Sequence, residues 1–343
     1  MKAILLRETH QPVTLIDAPK PTPGAGDVLV RLEAAALNHR DVFVQQGLYP
    51  GMKLPVILGS DGAGTVEAIG ADVDSIAVGD AVLINCSQYW GDNPRFYGPD
   101  FRILGMPDNG TFAEYVAVPA RYIAHRPAHL TAEQAAALPL AGLTAWRALM
   151  TRAGLRPHTG ERVLVTGIGG GAALFALQFA VAAGAEVWVT SGSDDKLANA
   201  RRMGATGGVN YRQTDWLKQL MTETGGGRAG YFDVIIDSAG GPGFARLIDA
   251  AAPGGRIAFF GGTTGMITDI APPKVFFKQL DITGSTMGTE QEFADMLAFV
   301  ETHKLVPVVD SVLPLADAEQ ALRRMDGGKQ FGKIILKITD QPE

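Results

Sequence analysis

The chain has 343 residues, 46% of them hydrophobic, 19% charged and 8% aromatic, which suits a globular protein with more than one core. Against 36 acidic residues stand 30 basic ones, and the net charge of −6 argues against a general nucleic-acid or anionic-membrane surface. One cysteine, Cys86, rules out an internal disulfide and any site built from several thiolates, and the 42 glycines follow no three-residue period.

The opening apolar run turns charged at Arg7 and Glu8, too soon for a signal peptide. Residues 28–32, 64–69, 81–84 and 113–118 are β-branched or alternating and predict strands, the last stopped by Pro119. Turns are expected at 59–62, 70–72 and 78–80, with Asp61 bracing the turn beside Gly62. Residues 88–109 carry aromatics, prolines and Asp or Asn without periodicity and predict a long surface loop. There Trp90, Phe96, Tyr97 and Phe101 either line a substrate cleft or pack the loop down. From 162 the pattern alternates: strands at 162–166, 186–190, 233–237, 256–261 and 281–284, with helices from about 172, at 194–203 and near 243–251. Such alternation implies a parallel sheet covered on both faces. Helices at 290–301 and 316–325 and a strand at 333–338 close the chain. The longest apolar stretch, 172–183, falls short of the roughly 20 residues needed to span a bilayer, so a cytoplasmic protein is expected.

The strongest local signal is the run from Val163 through Thr166 into Gly167, Gly169, Gly170, Gly171, Ala172 and Ala173. A buried strand enters glycines and passes directly into an apolar helix. A pyrophosphate needs this arrangement, because backbone N–H groups at a helix N-terminus must be approached without side chains in the way. The next strand ends in Ser191, Gly192 and Ser193 rather than in the acid that would bond a ribose 2′-hydroxyl. Small hydroxyls with Lys196 suit a 2′-phosphate, and Asp194 and Asp195 suit the first turn of the following helix. The cofactor expected is therefore NADPH.

The whole pattern resembles the medium-chain dehydrogenase/reductase superfamily. The similarity rests on 26–30, 58–64 and 78–82 for its GroES-like catalytic domain, 138–146 for its linker helix and 332–336 for its last strand. It implies an α/β chain: a GroES-like β-rich catalytic domain plus a Rossmann doubly wound parallel sheet. The expected boundaries are 1–126 for the first part of the catalytic domain, 127–286 for the dinucleotide-binding domain and 287–343 for the return. By the same resemblance, Thr144 contacts the nicotinamide end and Tyr211 sits near the adenosine phosphate. Ser238, Phe260 and Gly261 follow parallel strands at the ends where ligands bind.

Zinc alcohol dehydrogenases of that superfamily hold a catalytic zinc with Cys, His and Cys. The matching positions here are Asn38, Ser60 and Leu140, none an ordinary zinc ligand, so no metal is expected. The chain is then similar to the zinc-free quinone oxidoreductase branch, through the Asn38 to Asp41 and Tyr49 positions. The resemblance implies hydride transfer from NADPH to a quinone or α,β-unsaturated carbonyl, with an acyl-thioester enoyl reductase or a non-catalytic NADPH-binding protein as alternatives. Asn38 and Tyr49 are the candidate donors to the developing oxyanion, and Asp41 orients its neighbours. A homodimer is expected through an edge strand near 257–260 and 282–284.

Overall fold

The computed structural model describes residues 1–338. Two compact units divide the chain: Met1–Leu143 with Gly288–Glu343, and Thr144–Met287. The last five residues of the expected third segment lie outside the described residues.

The first unit begins with β1 (Lys2–Leu6), β2 (Thr14–Asp17), β3 (Asp27–Ala36), α1 (His39–Gln45), β4 (Val56–Ile57) and β5 (Asp61–Ile69). It continues with β6 (Ala81–Ile84), β7 (Ser87–Gln88), β8 (Arg102–Ile103), β9 (Tyr115–Pro119), β10 (Ile123–His125), α2 (Ala132–Ala136) and the start of α3 (Pro139–Trp146). The second unit holds β11 (Arg162–Val165), α4 (Gly171–Ala182), β12 (Glu186–Ser191), α5 (Asp194–Arg202), β13 (Gly207–Asn210) and α6 (Trp216–Thr224). It ends with β14 (Phe232–Asp237), α7 (Phe244–Ala250), β15 (Ala251–Phe259), α8 (Pro272–Lys278) and β16 (Asp281–Gly284). The chain then returns to the first unit with α9 (Glu290–Thr302), β17 (Val309–Pro314), α10 (Ala318–Asp326) and β18 (Lys333–Lys337).

In the first unit a seven-stranded sheet runs β10-β6-β5-β3-β18-β17, with β9 also paired to β3. Its centre decides the chemistry. β3 pairs antiparallel with β5, Ala36 opposite Asp61, and on its other side with β18, Ala36 opposite Ile335. Three segments far apart in sequence therefore end in one row. The core beside them gathers Ile4, Leu6, Leu37, Val44, Phe112 and Leu322, all at most 1% exposed.

The expected turn at 59–62 is corrected: β5 already starts at Asp61. Segment 57–59 is pinned to 110–112 by backbone hydrogen bonds from Gly110 to Ile57, Thr111 to Gly59 and Phe112 to Leu58, at 2.8, 2.9 and 2.9 Å. The contact tolerates no side chain. A Cβ on Gly110 would lie 1.9 Å from the Gly59 carbonyl oxygen, and Gly59 itself has φ of +98°. The first domain boundary also falls at Leu143 rather than at 126, because α2 packs on β3 and β5 of the first unit.

Residues 88–109 are not wholly irregular. β7 and β8 form a hairpin, and the loop folds on its own aromatics: Trp90, 3% exposed, meets Tyr97 and Phe101 edge-on at 5.8 and 5.4 Å. Phe96 and Tyr97 stay exposed.

The second unit is a six-stranded parallel sheet in the order β13-β12-β11-β14-β15-β16. The order reverses between β11 and β14, where an open α/β sheet leaves a crevice at the strand ends. Leu164, Trp188, Ile235, Phe232 and Phe244 form its core. β15 lies inside the sheet, so of the two stretches expected at an edge only 282–284, in β16, is there.

Gly110→Ala is expected to destabilise the protein by roughly 3 kcal/mol, since backbone must move to admit one methyl. Gly26→Ala, whose Cβ meets nothing within 4 Å, is the control. Urea unfolding of both variants checks this; equal midpoints would refute the packing role.

Candidate functional site

Each unit contributes one candidate site. In the first, the ends of β3, β5 and β18 bring together Asn38, Asp61 and Lys333, all buried. The Lys333 ammonium donates to Leu37 O at 2.7 Å, Asn38 Oδ1 at 2.6 Å and Asp61 Oδ2 at 3.0 Å. Three protons meet three acceptors. Asp61 Oδ2 also accepts from Asn38 Nδ2 at 2.9 Å, while its Oδ1 takes the Leu140 backbone N–H at 2.8 Å and the Cys86 thiol at 3.7 Å. Asp61, assigned to bracing a turn, is instead the hub of this network. Burial, and then the Asp61 charge, push the Cys86 thiol well above its usual range, so it stays protonated.

Asn38 precedes α1 with extended backbone, φ −131° and ψ 154°. Asp41 Oδ2 accepts the Asn38 backbone N–H at 2.8 Å, which fixes the helix start and leaves the Asn38 side chain to Asp61 and Lys333. Arg40 is buried too. Its Nη1 donates to Ser60 Oγ at 2.7 Å and Leu104 O at 3.0 Å, and its Nη2 to Met106 O at 3.3 Å. Tyr49 is half-buried against the unit's core with the Arg40 guanidinium over its ring at 4.8 Å, and it is not part of the Lys333 network. His39 is exposed.

These donors fit zinc poorly. Asn38 offers an amide already engaged at both ends, Ser60 a hydroxyl that accepts from a guanidinium, and Leu140 no donor side chain. Zinc sites use thiolate, imidazole or carboxylate. Among the described residues no group of three or more His, Cys, Asp and Glu could hold a metal ion.

The second site lies at the β11 and β14 ends. Gly167 and Gly169 have φ of +63° and +130°, and Gly170 caps α4, with Gly171 and Ala172 its first residues. A Cβ on Gly170 would meet nothing within 4 Å, whereas one on Gly169 would strike the Lys196 stem at 2.7 Å. The loop thus presents bare backbone at a helix N-terminus with an ammonium over it, a cradle that fits a dinucleotide's phosphates. Ser191 is buried with its hydroxyl on Ile168 O at 3.3 Å, and Ser193 caps α5 by accepting from the Lys196 backbone N–H at 3.4 Å. Asp194 accepts from Asn210 Nδ2 at 2.8 Å in the first turn of α5. Arg212, which sequence reading missed, closes this end: a Cβ on Gly192 would lie 2.8 Å from Arg212 Nε and 2.9 Å from Tyr211 Oη.

Across the sheet, Ser238 Oγ stands 3.4 Å from where a Gly167 Cβ would be. Asp237, also missed, accepts from Thr166 Oγ1 at 2.5 Å and the Gly240 N–H at 2.7 Å, so it ties the two strand ends together. Burial pushes its carboxyl up against those two bonds. Phe260 and Gly261 line an open pocket of about 310 Å³ with Gly262, Gly284 and Ser285. Thr144 is buried, its hydroxyl 3.7 Å from Met287 Sδ.

Burial pushes the Asp41 carboxyl up to about 6, against the pull of Arg40, and its Oδ1 has no hydrogen-bond partner. The folded value lies above the unfolded one of about 3.9, so the folded state keeps a proton the unfolded chain has released. Stability therefore falls as pH rises from about 4 to 6, by up to about 3 kcal/mol at 1.4 kcal/mol per pK unit. Asp41→Asn is expected to lose that slope and to gain on the wild type across this window. Urea unfolding over the range checks it; parallel curves would refute it.

Comparison with known proteins places this architecture. The family model described as alcohol dehydrogenase GroES-like domain matches residues 24–128, and that described as zinc-binding dehydrogenase matches 171–302. The zinc-type alcohol dehydrogenase-like protein YogA of Leptosphaeria maculans is 38% identical, with 96% of each chain covered. An acryloyl-coenzyme A reductase of Sulfurisphaera tokodaii is 28% identical over 98% of this chain and 100% of its own. A crystal structure described as an NAD-dependent alcohol dehydrogenase superposes with a TM-score of 0.93 at 41% identity, covering 99% of this chain and 100% of that one. No described helix is long and apolar enough to cross a membrane. With a GroES-like unit, a parallel dinucleotide-type sheet in the order 3-2-1-4-5-6 and relatives along nearly its whole length, the chain belongs to the medium-chain dehydrogenase/reductase superfamily of nicotinamide-dependent oxidoreductases.

Proposed function

We propose that this protein is an NADPH-dependent reductase of quinones or α,β-unsaturated carbonyls that works without a catalytic metal. The carrying observation is the donor set of the first unit: an amide, a hydroxyl and an aliphatic chain at positions 38, 60 and 140, with a fixed ammonium beside the amide. Without a Lewis acid, a plain carbonyl needs a proton donor placed at its oxygen to take up hydride. A conjugated acceptor spreads the incoming charge and needs only hydrogen bonds.

Bound NADPH supplies two electrons and a proton as hydride to the acceptor's electron-poor carbon. Asn38 holds the acceptor's oxygen. Its Nδ2 carries two hydrogens, of which Asp61 takes one, and the other is left for an oxygen that gains charge as the reaction proceeds. The oxygen's negative charge, delocalised over the conjugated system, is quenched by a proton from water. Tyr49, with the Arg40 guanidinium over its ring, stands outside the Lys333 network.

For the cofactor, NADPH is favoured by Arg212 and the Tyr211 hydroxyl beside Gly192 and by Lys196, at a strand end that carries no acid, with Asp194 engaged by Asn210. The relatives whose names mention NAD or zinc carry those properties as their own. A second reading, an acyl-thioester enoyl reductase, draws support from the acryloyl-coenzyme A reductase relative, since conjugate reduction of a thioester asks the same of Asn38. On the leading reading the enzyme is cytoplasmic and pairs as a homodimer along β16.

The test is an acceptor screen following loss of reduced-nicotinamide absorbance, with metal analysis of the same preparation. Reduction of quinones or enones at well under one zinc per chain is expected; turnover only of simple alcohols with stoichiometric zinc would overturn the proposal. Asn38→Ala is expected to lower kcat roughly 10²- to 10³-fold. Arg212→Ala is expected to weaken NADPH roughly tenfold, at about 1.4 kcal/mol per tenfold, and leave NADH within about twofold. Fluorescence titration reads this directly, and equal losses for both nucleotides would point away from a 2′-phosphate site.

A further inference from the structure

We propose that Lys333 is the positioning residue of the reaction, acting through Asn38 as the built-in cation of the site. This rests on the reading of Asn38 as the donor to the acceptor's oxygen.

Lys333 begins β18, next to the end of β3, and Gly332 before it has φ of +118°, where a Cβ would fall 2.4 Å from Val308 O. That turn points the lysine inward, 3% exposed. The ammonium grips Asn38 from the carbonyl side at 2.6 Å, while Asp61 grips the same amide from its nitrogen side at 2.9 Å. The amide has one orientation in which both bonds form, with its nitrogen toward the carboxylate. A flipped amide would set NH₂ against ammonium and carbonyl oxygen against carboxylate. The pair therefore fixes which end of Asn38 donates. A cation on the amide oxygen also draws electron density from the N–H bonds and strengthens them as donors, most where the surroundings exclude water. Asp61 is held in turn by the Leu140 N–H, so the charge pair does not drift.

A structural part alone would keep Asp61 neutralised and no more. The two parts separate by experiment, with 1,4-benzoquinone and but-3-en-2-one as acceptors. Lys333→Met is expected to lower kcat roughly 10- to 100-fold with the acceptor KM and NADPH affinity within about twofold, the pattern of an interaction made in the transition state. Lys333→Arg, which keeps the charge, should recover most of the loss. The double variant Lys333→Met with Asp61→Asn removes the uncompensated carboxylate and is expected to melt near the wild type yet stay slow; it carries the measurement if the single variant does not fold. In an Asn38→Ala background, losing Lys333 should cost less than about twofold more, because the amide it orients is gone. Recovery of kcat in the double variant, or a further tenfold loss in the Asn38→Ala background, overturns the assignment. If the wild type reduces neither acceptor, or Asn38→Ala alone leaves turnover unchanged, the reading of Asn38 fails first and takes the assignment with it.

Discussion

A buried lysine cannot sit beside a buried aspartate unless nearly every polar atom of both is engaged, because removing the two charges from water costs several kcal/mol each before attraction and hydrogen bonds offset it. Lys333 and Asp61 meet that condition with Leu37 O, Asn38 Oδ1, Asn38 Nδ2, the Leu140 N–H and the Cys86 thiol. Much of the first unit follows from this requirement. The strand order β5-β3-β18 must hold to bring the three segments level. The bare backbone contact at Gly59 and Gly110 must hold to keep Asp61 at the start of β5. Leu140 enters as a backbone donor, which explains how an aliphatic side chain serves at a polar site: its contribution is its N–H.

The second unit solves a different problem with the same economy of position. Its strand order reverses between β11 and β14, and Asp237 spans the gap by accepting from Thr166 on one strand and Gly240 beyond the other. The glycines around it leave main chain uncovered where phosphate must approach. At the β12 terminus Arg212 and the Tyr211 hydroxyl stand against Gly192, while the Lys196 side chain lies against Gly169 of the glycine loop. Backbone thus suits the phosphates common to both nicotinamide dinucleotides, and side chains suit what differs between them.

The legible part of this molecule was the local part. The glycine loop and the parallel sheet were legible from spacing and alternation, and the Asn38 to Asp41 run from resemblance. What escaped was non-local. Lys333 lies 272 residues from Asp61, and in sequence it is one lysine opening one strand. Asp61 looked like a turn residue because Gly59 and Gly62 flank it, and only pairing with β3 makes it a strand residue facing a buried cation. Arg212 follows Tyr211 in a polar stretch with no periodicity, so nothing but the fold brings it to Gly192. Residues 127–143 were expected in the dinucleotide-binding domain, yet packing on β3 and β5 puts α2 in the first unit.

The proposed acceptor class follows from the strength of the field this site can present. A divalent metal concentrates charge on one substrate oxygen and polarises even an isolated carbonyl. The Lys333 ammonium is a single charge divided among three protein acceptors, and on the proposed reading it acts through the Asn38 amide. Arg40 is likewise occupied, by Ser60 and two main-chain carbonyls. Under that reading, such a site stabilises negative charge by one oriented hydrogen bond, an effect of a few kcal/mol. That suffices where conjugation already spreads the charge over several atoms and falls short where an alkoxide must carry it alone. On the proposed reading, an amide, a hydroxyl and a backbone N–H at these positions favour acceptors that bring their own delocalisation.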